Sequence, residues 1–115
     1  MLPRDEQSLR DIVYSSSILI TRCATRSFED FLDDLEFQDG VLHRLTLIGE
    51  AARRLSDPAL AALPEVSWPD VVSMRNRVIH QYDDIDLSIV WRTVTVSVPE
   101  LVDRLRSVIS DLTDT

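Results

Sequence analysis

Apolar residues recur along this chain at three- and four-residue spacings, and the pattern divides it into a succession of helices. From Asp5 to about Arg26, the positions Leu9, Ile12, Val13, Ser16, Leu19, Ile20 and Cys23 form one stripe of an amphipathic α-helix. Ser27-Phe28-Glu29-Asp30 has the form of a helix N-cap followed by acidic residues, with Phe28, Phe31, Leu32 and Leu35 on one face, so a short second helix is expected to end near Gly40. Val41, Leu42, Leu45, Ile48, Ala52 and Leu55 continue the helical spacing to about Ser56, with Gly40 either a stop or a weak link. The stretch from Asp57 to Ser67 contains Pro58 and Pro64 and predicts a connection with one helical turn at Ala59 to Leu63. Ser67-Trp68-Pro69-Asp70 then signals a new helix start, with a capping serine, a first-turn proline and an acid three residues after the serine. That helix runs through Val71, Val72, Met74, Arg75, Val78 and Ile79 and fades between Gln81 and Asp84. Asp86 opens a final helical stretch to about Leu112, in which Pro99 predicts a kink, or a break with Ser97 as a new cap.

Two glycines and no Asn-Gly or Asp-Gly turn between alternating runs leave hairpins without support. The expected fold is all-α, an antiparallel bundle of four to five helices. At 115 residues the chain suffices for one compact domain, taken as residues 1–115, and not for two.

Charge and composition narrow the function. A net charge of −8 argues against holding nucleic acid by a general basic surface, so any such contact must be local. All twelve basic residues are arginines, each able to offer a bidentate fork to phosphate or carboxylate. The single cysteine, Cys23, has no disulfide partner, and one thiol with two histidines makes no dedicated zinc site, so no metal and no cofactor are expected. There is no leader-like N-terminus and no run approaching the roughly 20 apolar residues that span a bilayer, which points to a reduced, cytoplasmic protein without membrane contact.

The chemistry concentrates in Met74-Arg75-Asn76-Arg77-Val78-Ile79-His80-Gln81-Tyr82-Asp83-Asp84. On a helix Arg75 and Tyr82, seven apart, share a face, and Asn76 and His80, four apart, share the neighbouring one, so the four side chains are expected along one edge of a helix end. Cleavage of a phosphodiester by the ribose 2′-hydroxyl needs a base of near-neutral pKa and a cation for the charge that grows on the phosphoryl oxygens. His80 suits the first role and Arg75 the second. Asn76 could hold the imidazole in one tautomer, and Tyr82 could bind a phosphate oxygen or position the nucleotide. The same residues also allow a structural reading, with His80 capping terminal carbonyls and Arg75 and Arg77 paired to Asp70, Asp83 or Asp84. Cleavage further needs an acid for the 5′-leaving oxygen, and one copy supplies one histidine. A two-fold homodimer with a composite site is therefore expected. His43 has no partner at ligand spacing, and Trp68 and Trp91, on apolar faces, are core anchors rather than base-stacking platforms.

Arg75, four intervening residues, then His80-Gln81-Tyr82 resembles the R-x4-H-x-Y motif of the HepT-like toxins among the HEPN-domain ribonucleases. The resemblance extends to Ser27-Phe28-Glu29-Asp30-Phe31-Leu32, to Ile48-Gly49-Glu50-Ala51-Ala52, to Trp68 and Ser73-Met74-Arg75-Asn76, and to Asp86 through Trp91 with Leu101 beyond Pro99. It implies a dimeric helical bundle of a toxin–antitoxin system, a metal-independent ribonuclease site built from Arg75 and His80 of both protomers, and RNA as substrate. It also implies a partner, a minimal nucleotidyltransferase antitoxin (MntA-like) that transfers AMP to the motif tyrosine, here Tyr82. Glu50 is expected to pair with Arg53 or Arg54 or to line the cleft, and Gly49 to permit close helix packing. The alternative reading is a non-catalytic HEPN dimer that binds a nucleotide or a protein partner through the same cleft.

Overall fold

The computed structural model describes residues 1–113, and every regular element among them is helical. The order is α1 (Pro3–Cys23), α2 (Phe28–Asp33), α3 (Leu35–Arg53), α4 (Asp57–Ala62), α5 (Trp68–His80) and α6 (Leu87–Arg92). A π-helical segment, Thr93–Ser97, then joins α6 to α7 (Val98–Thr113). Three long helices and the α6–α7 rod make the bundle that the hydrophobic spacing predicts, and α4 is the expected turn in the proline-bounded connection.

α1 begins with a first-turn proline, carries Asp5 and Glu6 near its positive end and Arg22 near its negative end, and buries Leu9, Ile12, Ser16, Leu19 and Cys23. Asp5 is also buried. Its carboxylate accepts the Ser56 N–H (2.8 Å) and the Ser56 hydroxyl (2.7 Å), which fastens the start of α1 to the α3–α4 junction. Those two bonds, the backbone one first, hold the Asp5 carboxyl below its ordinary value.

The second helix is shorter than its pattern suggests. Ser27 and Asp30 form the reciprocal capping box, but α2 stops at Asp33, and Gly40 lies inside α3 instead of ending a helix. The break falls at Asp34, whose extended backbone (φ −120°, ψ 99°) lets its carboxylate accept the Phe37 N–H at 3.1 Å and cap α3. Arg26 holds the same carboxylate at 2.9 Å, and the Gln38 side chain donates to the last carbonyls of α2, Phe31 O (2.8 Å) and Leu32 O (3.0 Å). These polar contacts outweigh a glycine that would cost an isolated helix about 1 kcal/mol.

The chain does not break at Pro99 either. Proline cannot donate to Thr95, four residues back, and its ring would collide with that carbonyl in a regular α-helix. The helix widens instead: Val98 N–H bonds to Thr93 O, five residues back. The Thr93 and Thr95 hydroxyls donate to Ile89 O and Trp91 O, each at 2.8 Å. Ser97 lies inside this π turn and caps nothing. Ser67 likewise does not cap α5 with its side chain; its hydroxyl donates to Asp70 at 2.8 Å.

α3 is the central helix, burying Val41, Leu42, Leu45, Ile48, Gly49, Ala51 and Ala52 and packing most extensively on α5 and α1. Phe31 is fully buried, stacked on Trp91 (centroids 5.2 Å apart) and edge-on to Phe37 (5.7 Å), which ties α2 to α3 and α6. Both tryptophans serve the core as expected. Cys23 is a buried free thiol whose burial pushes its pKa up.

Candidate active site

The site is built where α5 meets α3. Packing there is close enough that a Cβ on Gly49 would stand 2.1 Å from Cβ of Arg75 and 2.7 Å from its Cγ. Only glycine admits α5 at that distance, and the stem of Arg75 therefore crosses α3 directly over Gly49. The next residue of α3, Glu50, reaches the guanidinium, with Oε1 3.9 Å from Nη2. Nη1 donates to Asn76 Oδ1 at 2.9 Å. The Arg75 side chain is only 18% exposed, and its Nε is buried without a partner among the described residues. Such an unspent buried donor costs about 1–3 kcal/mol and calls for an explanation in function.

α5 ends immediately after His80. Gln81 leaves helical geometry, its N–H bonding back to Arg77 O at 2.8 Å, and Asp86 caps α6 by accepting the Ser88 N–H at 2.9 Å. His80 is thereby set at the open end of the helix, exposed, with no hydrogen bond or ion pair to any described residue. Tyr82 stands on the short loop, 47% exposed, and its hydroxyl donates to Asp39 Oδ1 of α3 at 2.6 Å. That bond, with partial burial and the charges of Asp39 and Asp83, raises the Tyr82 pKa above 10.0.

The four residues do not form one bonded cluster: Arg75 joins Asn76 and Glu50, Tyr82 joins Asp39, and His80 bonds to none of them. Five residues on a helix amount to a turn of about 140°, so Arg75 and His80 leave α5 in different directions. Asn76 makes no hydrogen bond to the imidazole; its carbonyl oxygen accepts from Arg75. Glu50 pairs with Arg75 rather than with Arg53 or Arg54. Arg77 faces away, into a groove of about 420 Å³ between α5 and the α6–α7 rod, whose lining includes Met74, Thr93, Leu101 and Arg104 but none of the four site residues. Among the described residues no group of three or more His, Cys, Asp or Glu is arranged to hold a metal ion, and no helix is long and apolar enough to cross a membrane.

The family model for HepT-like ribonucleases matches residues 12–108, a span that contains every residue of the site. The chain belongs to the HepT-like ribonuclease family. Its HepT-like relatives include a protein of Thermococcus cleftensis named "Probable ribonuclease HepT", 32% identical over 81% of this chain and 84% of its own length. Two others carry RNase in their names: one of Methanocaldococcus jannaschii, 30% identical over 90% of this chain and 86% of its own, and one of Caldanaerobacter subterraneus, 30% identical over 88% and 90%. No solved structure matches the chain at a significant level.

Two site residues lie outside the HepT-like motif segment. Asp39 is 43 positions from the tyrosine it binds, and nothing local in the sequence marks it. Glu50 carries a signal in hindsight: it follows the glycine that admits Arg75, so the close approach of two helices and the partner of the arginine are encoded side by side.

Proposed function

We propose that this HepT-like chain is the toxin of a type II/VII-like toxin–antitoxin pair, a cytoplasmic, metal-independent endoribonuclease in which Arg75 and His80 drive attack of the ribose 2′-hydroxyl on the adjacent phosphodiester. The observation that carries the reading is the contrast between the two residues. Arg75 is held by Gly49, Glu50 and Asn76 with donor capacity to spare, while His80 is left uncommitted at the helix end. A fixed cation and a free imidazole are what the reaction requires. His80 takes the 2′-hydroxyl proton as the O2′–P bond forms, and the guanidinium fork stabilises the charge gathering on the phosphoryl oxygens. The P–O5′ bond then breaks, leaving a 2′,3′-cyclic phosphate.

The departing 5′ oxygen needs an acid. The divergence of Arg75 and His80 on α5 favours a composite centre in which two copies of this single HEPN-like domain, residues 1–115, face each other and one copy's His80 protonates what the other's releases. Asn76 acts by steadying Arg75. Neutralisation falls to a minimal nucleotidyltransferase antitoxin that places AMP on Tyr82, adding negative charge and bulk beside the pair where the RNA phosphate must sit.

Expression in a bacterial host tests the toxin reading. Wild type should arrest growth and degrade cellular RNA, whereas Arg75→Ala and His80→Ala, made to the same level, should do neither. Equal growth with all three, and intact RNA, would leave the chain a non-catalytic dimer that binds a nucleotide or protein through its cleft.

A further inference from the structure

A surface tyrosine can satisfy its hydroxyl with water, yet Tyr82 Oη spends its proton on Asp39 at 2.6 Å, the short distance of a bond between a hydroxyl and a carboxylate. Asp39 comes from α3, and the loop that carries Tyr82 follows α5, so the pairing is made by the fold and not by neighbouring sequence. With its proton turned to Asp39, the oxygen keeps its lone pairs for an electrophile arriving from solvent. No hydrogen bond joins Tyr82 to Arg75, Asn76 or His80.

We infer that Asp39 is the general base for nucleotidyl transfer to Tyr82, so that the toxin itself supplies the proton acceptor for its own inactivation. The inference rests on the reading of Tyr82 as the acceptor. In the step, Oη attacks the α-phosphorus of a nucleoside triphosphate held by the transferase. The Oη–P bond forms, the bond from that phosphorus to the bridging oxygen of the β-phosphate breaks, pyrophosphate leaves, and the phenolic proton passes to Asp39 Oδ1. The route through a free phenolate is closed at neutral pH, since Asp39 and Asp83 together with partial burial raise the hydroxyl above its ordinary 10.0. Two proton acceptors then serve two reactions: His80 the ribose and Asp39 the tyrosine.

The test has two arms, each comparing wild type, Asp39→Asn and Asp39→Glu after circular dichroism has shown all three to be folded. In the first, the chain alone meets an adenosine-bearing aryl sulfonyl fluoride, and sulfonylation of Tyr82 is followed by peptide mass spectrometry from pH 7 to 10. Wild type should react at least tenfold faster than Asp39→Asn at pH 7. The gap should close toward pH 10, where the variant's tyrosine ionises without help, and Asp39→Glu should recover part of the rate. In the second, the partner nucleotidyltransferase and ATP-Mg replace the reagent, and a loss of about 10²-fold is expected in Asp39→Asn, the scale of general-base assistance. Equal rates at pH 7, or a deficit that stays constant with pH as a purely positional contact would give, overturn the inference. AMP absent from wild-type Tyr82, with the reagent arm behaving as stated, overturns the reading of the partner and leaves Asp39 as the base of Tyr82.

Discussion

Gly49→Ala adds a single methyl group and should cost this protein more activity than stability. The new Cβ would lie 2.1 Å from Arg75 Cβ, 1.3 Å inside the 3.4 Å at which ordinary contact begins, and 3.3 Å from Arg75 Cα. The colliding atoms belong to the base of the arginine and cannot swing aside, so α5 must move off α3 by about 1 Å. Overpacking of this kind costs about 1–3 kcal/mol. Alanine returns up to about 1 kcal/mol of helix propensity, leaving a net loss of up to about 2 kcal/mol. In a domain of this size that lowers Tm by up to about 8 °C. The guanidinium travels with the helix, and a misplacement of about 1 Å at a catalytic group can cost 10²-fold in rate. Gly40→Ala is the matched control, because nothing lies within 4 Å of a Cβ built there. It should gain up to about 1 kcal/mol and cut RNA as wild type does. Thermal melts by circular dichroism and kcat/KM on a fluorogenic oligoribonucleotide read both effects. If the two alanine variants match in Tm and rate, the close approach is not what positions Arg75.

Tyr82→Phe removes the acceptor oxygen, so it should stay toxic when the antitoxin is co-expressed, provided binding alone does not inhibit; loss of toxicity without the antitoxin would instead make the hydroxyl part of RNA cleavage. Phe31→Ala empties a fully buried position stacked on Trp91 and should destabilise by about 3–5 kcal/mol, read by urea unfolding with the m-value as a check on the native fold. Asp5 has its folded pKa depressed by Ser56, so its contribution is present above the ordinary carboxylate value of 3.8 and is lost as pH falls through that value toward the folded one. Asp5→Asn should therefore be less stable than wild type at pH 7, with the difference shrinking in acid; a pH-independent difference would assign the effect to packing.

Much of the fold was legible because the apolar spacing is the cause of the structure: the stripes of α1 and α3 are the faces that became buried, whereas of the α5 stripe only Val78 is buried, Val71, Val72 and Met74 are partly covered and Ile79 is exposed. The misplaced boundaries lie where polar side chains decide. Nothing in the periodicity announces that Asp34 will cap α3 while Arg26 and Gln38 complete the turn, or that Thr93 and Thr95 will line a π turn that accommodates Pro99. The site divides in the same way. Arg75, Asn76, His80 and Tyr82 fall within one short motif and could be named from the chain alone, but their partners could not. Helical spacing put Asn76 on the face of His80, yet its side-chain oxygen accepts from the adjacent Arg75, a contact that spacing does not signal. Asp39 reaches Tyr82 because α3 and α5 pack against each other, a fact of tertiary structure without a local signature at Asp39.

The central claim, that Arg75 and His80 cut RNA through the 2′-hydroxyl, is tested most directly by incubating total RNA with purified protein in EDTA and examining the 3′ ends of the products. Wild type should cut and leave 2′,3′-cyclic phosphates, while Arg75→Ala and His80→Ala, folded to the same degree, should each lose at least 10²-fold. Cutting that persists in either variant, that needs added metal, or that leaves 3′-hydroxyl ends would contradict the account.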